Sequence, residues 1–137
     1  MFWKFSPLRE KSFSLIPVAD AATPTVKVAG NGDSEIVSPL GRVLRLVHAT
    51  LVENACTAVA VDLSELYFLN SSCLKAFVTW IHQAKTAEKT YEIRLHMNPH
   101  LPWQRRSLEP LRRLAPSVVF LEQWSGPVTE GAGPGEL

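Results

Sequence analysis

The residues with the clearest potential for chemistry lie in the stretch 59–77. Asp62 follows an apolar run at 58–61 that is typical of a buried strand, and Ser71 and Ser72 open a helical pattern. Ligands of open α/β sheets bind at the carboxyl ends of strands, so Asp62 is a candidate catalytic residue, with hydrogen bonding to nearby backbone as the alternative. A serine at a helix N-terminus either caps the helix or carries a phosphate. The stretch therefore allows an Asp62/Ser71 site or a phosphorylation site.

Signatures of common enzyme families are absent from the chain. It contains no G-x-G-x-x-G, no G-x-x-x-x-G-K-[ST], no G-x-S-x-G and no H-E-x-x-H. The histidines lie on separate predicted elements, without a cysteine or carboxylate at ligand spacing: His48, His82, His96 and His100. The sequence therefore gives no recognised catalytic motif, and we expect no metal site.

Composition narrows the class of protein further. The 137 residues suit one domain, and 46% hydrophobic with 20% charged residues is ordinary for a globular chain. Fourteen basic against 13 acidic residues give a net charge of +1, so the basic cluster at 105–113 predicts a solvated helix face rather than nucleic-acid binding. No apolar run is long enough to span a membrane. Cys56 and Cys73 are expected to be reduced thiols in a cytoplasmic protein.

Hydrophobic periodicity predicts alternating helices and strands. Residues 42–125 contain no glycine, so the core should run through them, whereas 30–33 should form a turn. Phe68 and Leu69 are expected to pack, and Pro110 should lie in the first turn of its helix. The predicted helices are 38–54, 71–87 and 107–114, and the predicted strands are 13–18, 25–29, 58–63, 91–97 and 117–122. Ser38 should cap the first helix, and Leu114 should lie on the buried edge of the third.

This order of elements predicts an α/β fold. We expect a single domain with a mixed, mainly parallel sheet, whose last three strands are parallel and whose helices pack on one face. The domain should span residues 12–124, between a flexible N-terminal segment at 1–11 and a disordered tail at 125–137.

The sequence DLSELYFLNSSCLKAF, residues 62–77, resembles the signature of STAS domains, the family of bacterial anti-sigma-factor antagonists. That signature is an apolar strand, then D-L-S, an aromatic–apolar pair, and D-S-S-G at the start of a helix. The resemblance covers residues 12–122, and its specific part is 58–77. Two positions depart from the signature: Asn70 replaces its aspartate and Cys73 replaces its glycine.

The resemblance implies a non-catalytic regulatory module that switches partners and needs no cofactor. A serine kinase, often the anti-sigma-factor-like partner itself, would phosphorylate the first serine of the motif, Ser71, and thereby release the module. Ser72 is the second choice. A metal-dependent serine phosphatase would reset the switch. The alternative remains a small enzyme or ligand-binding protein that uses Asp62 and Ser71.

A partner-binding surface follows from the helix that begins at Ser71. Positions i, i+4, i+7 and i+11 form one stripe that should lie away from the buried arc of Leu74, Phe77, Trp80, Ile81 and Ala84. The predicted partner-binding residues are this stripe and its neighbours: Asp62, Asn70, Ser71, Ser72, Lys75, Val78 and His82.

Overall fold

A computed structural model describes residues 2–125, in which seven strands and three α-helices form one layered unit. The strands are β1 (Leu8–Glu10), β2 (Phe13–Pro17), β3 (Thr25–Gly32), β4 (Ala58–Asp62), β5 (Leu66–Leu69), β6 (Glu92–Met97) and β7 (Val119–Gln123). The helices are α1 (Val37–Glu53), α2 (Ser71–Thr86) and α3 (Pro102–Leu114), with a short 3-10 turn, Ser34–Ile36, before α1.

The strands form one mixed sheet in the order β1-β2-β3-β4-β6-β7, and β5 pairs with the far end of β3. The pairs β1–β2 and β2–β3 are antiparallel, whereas β3–β4, β3–β5, β4–β6 and β6–β7 are parallel. The mainly parallel sheet and its three parallel strands β4, β6 and β7 are therefore as predicted.

One face of the sheet holds the core. Alternate strand residues such as Val26, Val59 and Ile93 are fully buried there and belong to one apolar cluster with side chains from all three helices. The opposite face carries half-buried polar residues, among them Arg94 and His96. The predicted packing of the helices on one face is confirmed, because a sheet with only one apolar face needs only one covering layer.

The structure differs from the sequence prediction where the chain enters α1. Residues 30–33 were expected to turn, but β3 continues to Gly32 through an irregularity at Gly30, whose φ is +93°. Asp33 then caps the 3-10 turn through its side chain, which accepts a hydrogen bond from the Glu35 N–H at 3.0 Å. The predicted cap at Ser38 is wrong, because α1 has already begun at Val37.

Helix α3 is longer than predicted. It begins at Pro102, five residues before the expected start at Ser107, and Pro110 lies within it. The predicted start was wrong because Pro102, and not Pro110, is the proline in the first turn of the helix. Burial of the Leu108 and Leu111 side chains stabilises the helix on either side of Pro110. Leu114, predicted to be buried, is 52% exposed at the end of the helix.

Residues at the N-terminus pack on the domain. The segment 1–11 was expected to be flexible, but within it Trp3, Phe5 and Leu8 are buried, and Leu8–Glu10 pairs with β2. Burial of these large apolar side chains offsets part of the conformational entropy that the segment loses when it is ordered. Residues 126–137, nearly all of the predicted tail, lie outside the described residues.

A hydrogen-bonded chain of three side chains ties α1 and α2 to the start of β6. The hydroxyl of Tyr91 accepts a hydrogen bond from Trp80 Nε1 at 2.8 Å and lies 2.7 Å from His48 Nδ1. Burial raises the pKa of Tyr91, so its hydroxyl stays protonated beside the neutral ring of His48. Burial also lowers the pKa of His48, which favours that neutral ring.

The burial of His48 in this hydrogen-bonded group predicts that the free energy of unfolding decreases in mild acid. Because the pKa of His48 is lower in the folded state, its contribution is complete above the ordinary histidine pKa of about 6.5 and is lost as the pH falls toward the lowered value. Urea unfolding should show that His48→Gln loses less free energy of unfolding than wild type between about pH 7.5 and pH 5.5. His100→Gln, at an exposed site, should behave as wild type; an equal response in both variants would contradict the assignment.

Alanine substitutions at two glycines should change the free energy of unfolding in opposite directions. Gly41 lies within α1, and an added Cβ would meet only Arg45 Nη1 at 3.9 Å, so Gly41→Ala should raise the free energy of unfolding by about 1 kcal/mol. Gly30 has a positive φ, and its Cβ would collide with the backbone oxygen of Ser12. Gly30→Ala should therefore cost roughly 2 kcal/mol or more. Urea unfolding monitored by circular dichroism measures both; a destabilised Gly41→Ala would show that this position has a packing role in the domain.

Candidate functional site

The N-terminus of α2 is held against the end of β3. The side chain of Asn70 accepts a hydrogen bond from the Cys73 N–H at 2.9 Å and so caps the helix. The backbone N–H of Asn70 donates to the carbonyl oxygen of Gly32 at 2.9 Å. Asparagine is among the best N-cap residues, so the replacement of the signature's aspartate preserves the cap.

The second departure from the signature, Cys73, lies in the core next to Gly32. Cys73 is fully buried, and a Cβ on Gly32 would lie 3.5 Å from its sulfur and 2.6 Å from Cδ1 of Leu69. The sulfur therefore lies at ordinary contact distance from position 32, and only the end of the Leu69 side chain would have to move for a side chain there. Its sulfur also donates to the carbonyl oxygen of Asp33 at 3.3 Å, and burial raises the pKa of the thiol, which keeps it protonated.

Ser71 and Ser72 are both exposed in the first turn of α2. Because Asn70 provides the cap, neither hydroxyl is needed to satisfy the helix end. No acidic residue lies in this first turn, and the free N–H groups carry a partial positive charge. An anionic group attached to either serine would thus be stabilised by the helix.

The proposed strand-end pair of Asp62 and Ser71 does not come together. The carboxylate of Asp62 accepts a hydrogen bond from the Ser64 N–H at 2.9 Å, and Asp62 pairs with Lys27 of β3. The start of α2 is bonded five residues further along β3, at Gly32, which corresponds to about 16 Å of strand. An enzymatic site that uses both residues is therefore not supported by the geometry.

The predicted docking stripe along α2 is only partly exposed. Ser71, Lys75 and His82 are exposed, whereas Val78 is half-buried and packs against the core. Val78 was expected to lie outside the core, but the stripe borders the side of α2 that faces α3, where Lys85 Nζ donates to the carbonyl oxygen of Leu114. A substitution at Val78 would therefore disturb packing as well as any partner.

Strand β5 exposes aromatic side chains next to this helix end. Tyr67 is 56% exposed and Phe68, which was expected to pack, is 49% exposed, while Leu66 and Leu69 are buried. The sequence pattern did not indicate this strand, because four residues with buried ends do not alternate. Both aromatics lie within four residues of Ser71 and widen the candidate surface.

A buried glutamine, missed by sequence reasoning, fixes the turn between β4 and β5. Gln104 of α3 is fully buried, and its Nε2 donates to the carbonyl oxygens of Leu63 and Leu66 at 2.8 and 2.9 Å. Its Oε1 accepts from the Asn98 N–H at 2.7 Å. Its position in a polar, arginine-rich segment carried no signal of burial, because only the folded chain brings these backbone groups to one place.

Within residues 2–125, no group of three or more His, Cys, Asp or Glu side chains is placed to hold a metal ion. Over the same residues, no helix combines the length and the apolar character that crossing a membrane requires.

The glutamine contacts predict a large loss of stability on truncation. Gln104→Ala would leave the Leu66 carbonyl oxygen and the Asn98 N–H without these partners. The Leu63 oxygen would lose one of its two hydrogen bonds and keep the one from the Leu66 N–H, so the free energy of unfolding should fall by about 3 kcal/mol. Urea unfolding measures the loss, and hydrogen exchange should show faster exchange in the β4–β5 turn. Gln123→Ala, at an exposed residue of β7, is the matched control and should change stability by less than about 0.5 kcal/mol. A loss below about 1 kcal/mol for Gln104→Ala would show that water replaces these contacts.

Comparison with known proteins gives one informative kind of match. No protein-family model and no curated protein sequence matches the chain. The structure is similar to the crystal structure of an anti-sigma factor antagonist from Mycobacterium paratuberculosis, with a TM-score of 0.58 and 20% sequence identity. The match covers 80% of this chain and 86% of the other. The chain therefore has the fold of an anti-sigma factor antagonist, which confirms the STAS-like fold that residues 62–77 implied.

Proposed function

We propose that this chain is a non-catalytic regulatory domain that binds a partner protein and releases it when Ser71 is phosphorylated. The observation that carries the proposal is the first turn of α2, where an exposed serine follows a complete N-cap. The fold shared with an anti-sigma factor antagonist supports a role in partner switching. Such a role would be cytoplasmic.

The cap leaves Ser71 available for modification. If Ser71 itself capped the helix, a phosphate on its hydroxyl would remove that hydrogen bond, but Asn70 performs the capping here. Phosphorylation would add roughly −1.5 to −2 units of charge at the positive end of α2 without unfolding it. The modification would thus change the surface and leave the domain intact.

The proposed partners are a serine kinase of the anti-sigma-factor type and a metal-dependent serine phosphatase that restores the unmodified form. The docking surface would centre on Ser71, Ser72, Lys75 and His82, which are exposed on α2. Asn70 and Val78 border this surface and support it, whereas Asp62 lies further along the sheet.

The proposal predicts one phosphorylated residue. Protein isolated from its native cells should carry one phosphate in a fraction of molecules, and mass spectrometry should locate it on Ser71. Ser71→Ala should abolish it, and Ser72→Ala, the matched control one residue away, should retain it. A phosphate lost only in Ser72→Ala would move the site by one residue, and no phosphate on either serine would remove the switch.

Binding of the partner should depend on the state of Ser71. A protein that co-purifies with Ser71→Ala should be lost from Ser71→Asp, because a carboxylate imitates part of the added charge. Lys75→Glu should weaken the same complex by about 1 kcal/mol or more in a binding assay. Thermal unfolding of each variant controls for folding, since both side chains are exposed.

A further inference from the structure

A groove of about 600 Å³ lies between α1 and α2. One wall comes from Ser38, Gly41 and Arg45 of α1, and the other from Ser72, Lys75 and Gln83 of α2, among other residues. Neighbouring residues of each set are three, four or eight positions apart, which places each set on one side of its helix. The lined stretch of α2 is about 16 Å long, which matches roughly three turns of a third helix.

The charges around the groove have one sign. Arg42, Arg45 and Lys75 line it, and no carboxylate does. Within residues 2–125, none of the three forms an ion pair, whereas Arg94 on the open face of the sheet is paired with both Glu92 and Glu122. The groove therefore presents three exposed cations that the described fold does not use.

Gly41 provides an independent indication that something approaches this groove closely. A glycine within a helix is unfavourable, and here neither a positive φ nor a close neighbour requires one, since an added Cβ would enter open space beside Arg45. Ala76, on the opposite helix, also has a small side chain and lines the same groove. Small residues on both walls let the backbone of a docked helix come near.

We propose that the α1–α2 groove binds an acidic helical segment of the partner protein. A helix suits the site because the walls are helices, which offer no free strand edge for an extended peptide. Acidic side chains on it would complement Arg42, Arg45 and Lys75. Three cations on a chain of net charge +1 are few for a nucleic-acid site, which favours a protein.

The groove also explains how phosphorylation of Ser71 would weaken partner binding. This step of the proposal rests on the proposed function. Lys75 lies four residues after Ser71 on α2, the spacing at which an anion and a following lysine pair on a helix surface. A phosphate on Ser71 would draw Lys75 into such a pair and place negative charge at the mouth of the groove. An acidic helix would then lose one contact and meet repulsion.

The test uses a synthetic amphipathic peptide with leucine on one face and glutamate beside it, and a twin with glutamine in place of glutamate. Fluorescence anisotropy should show that unmodified protein binds the acidic peptide at least about tenfold more tightly than the twin. Arg42→Glu combined with Arg45→Glu should weaken binding at least about tenfold, and Gly41→Leu should weaken it through bulk alone. The matched control, Arg105→Glu with Arg106→Glu on α3, makes the same charge change at exposed sites and should alter binding less than about twofold.

Backbone amide shifts of Gly41, Ala76 and Thr79 should move when the peptide is added, and those of α3 should not. The proposal would be overturned if the two double arginine variants lost peptide affinity equally. It would also be overturned if the glutamine twin bound as tightly as the acidic peptide, or if the amide shifts changed outside the groove. Tighter binding of a thymidine oligonucleotide through Arg42 and Arg45 would overturn it in favour of a nucleic acid. Thermal unfolding checks that the variants are folded.

Phosphoserine incorporated at position 71 should weaken peptide binding by about threefold or more. Unchanged affinity would overturn the link between Ser71 and the groove. Because the peptide assay itself uses unmodified protein, its result does not depend on whether cells phosphorylate Ser71. Failure of the groove and failure of the phosphorylation switch can therefore be told apart.

Discussion

The start of α2 depends on a place where two pieces of backbone meet with no side chain between them. Gly32 accepts the hydrogen bond from Asn70 and leaves space that Cys73 and Leu69 fill. A Cβ at position 32 would lie 2.6 Å from Cδ1 of Leu69, so a side chain there would require the end of the leucine to shift. The hydrogen bond between Asn70 and Gly32 fixes the point at which α2 and its exposed serines begin.

The same region is held from the other side by α3. Gln104 bonds to two carbonyl oxygens of the β4–β5 turn, and Asn98 Nδ2 donates to Ser64 at 2.8 Å. The bonds of Gln104 are buried and join the carboxyl end of β4 to a helix that lies far along the chain, and the bond of Asn98 ties the segment before that helix to the same turn. The candidate surface therefore consists of exposed side chains on a backbone that is fixed at both ends, which suits a surface that must present the same shape to a partner.

Charge is distributed unevenly over the two sides of the domain. On the open face of the sheet, Arg94 lies between Glu92 and Glu122, so this cation is neutralised within the fold. On the helical side, Arg42, Arg45 and Lys75 lie around one groove beside the start of α2. An anionic group on Ser71 would act most directly on Lys75, which lies one helical turn further along α2.

The sequence by itself determined the fold class, the central strands β4 and β6, and the start of α2, because at these elements the apolar periodicity and the cap at Asn70 act locally. It also indicated Ser71 through its position in a signature. Only the tertiary structure decided the extent of α3, the strand character of 66–69 and the burial of Gln104, since each depends on contacts between residues far apart in the chain. The same holds for the separation of Asp62 from Ser71, which the register of β4 on β3 sets, and for the pairing of Gly32 with Cys73. Local patterns show which face of an element is apolar, but the partner of that face is chosen by the packing of the whole chain.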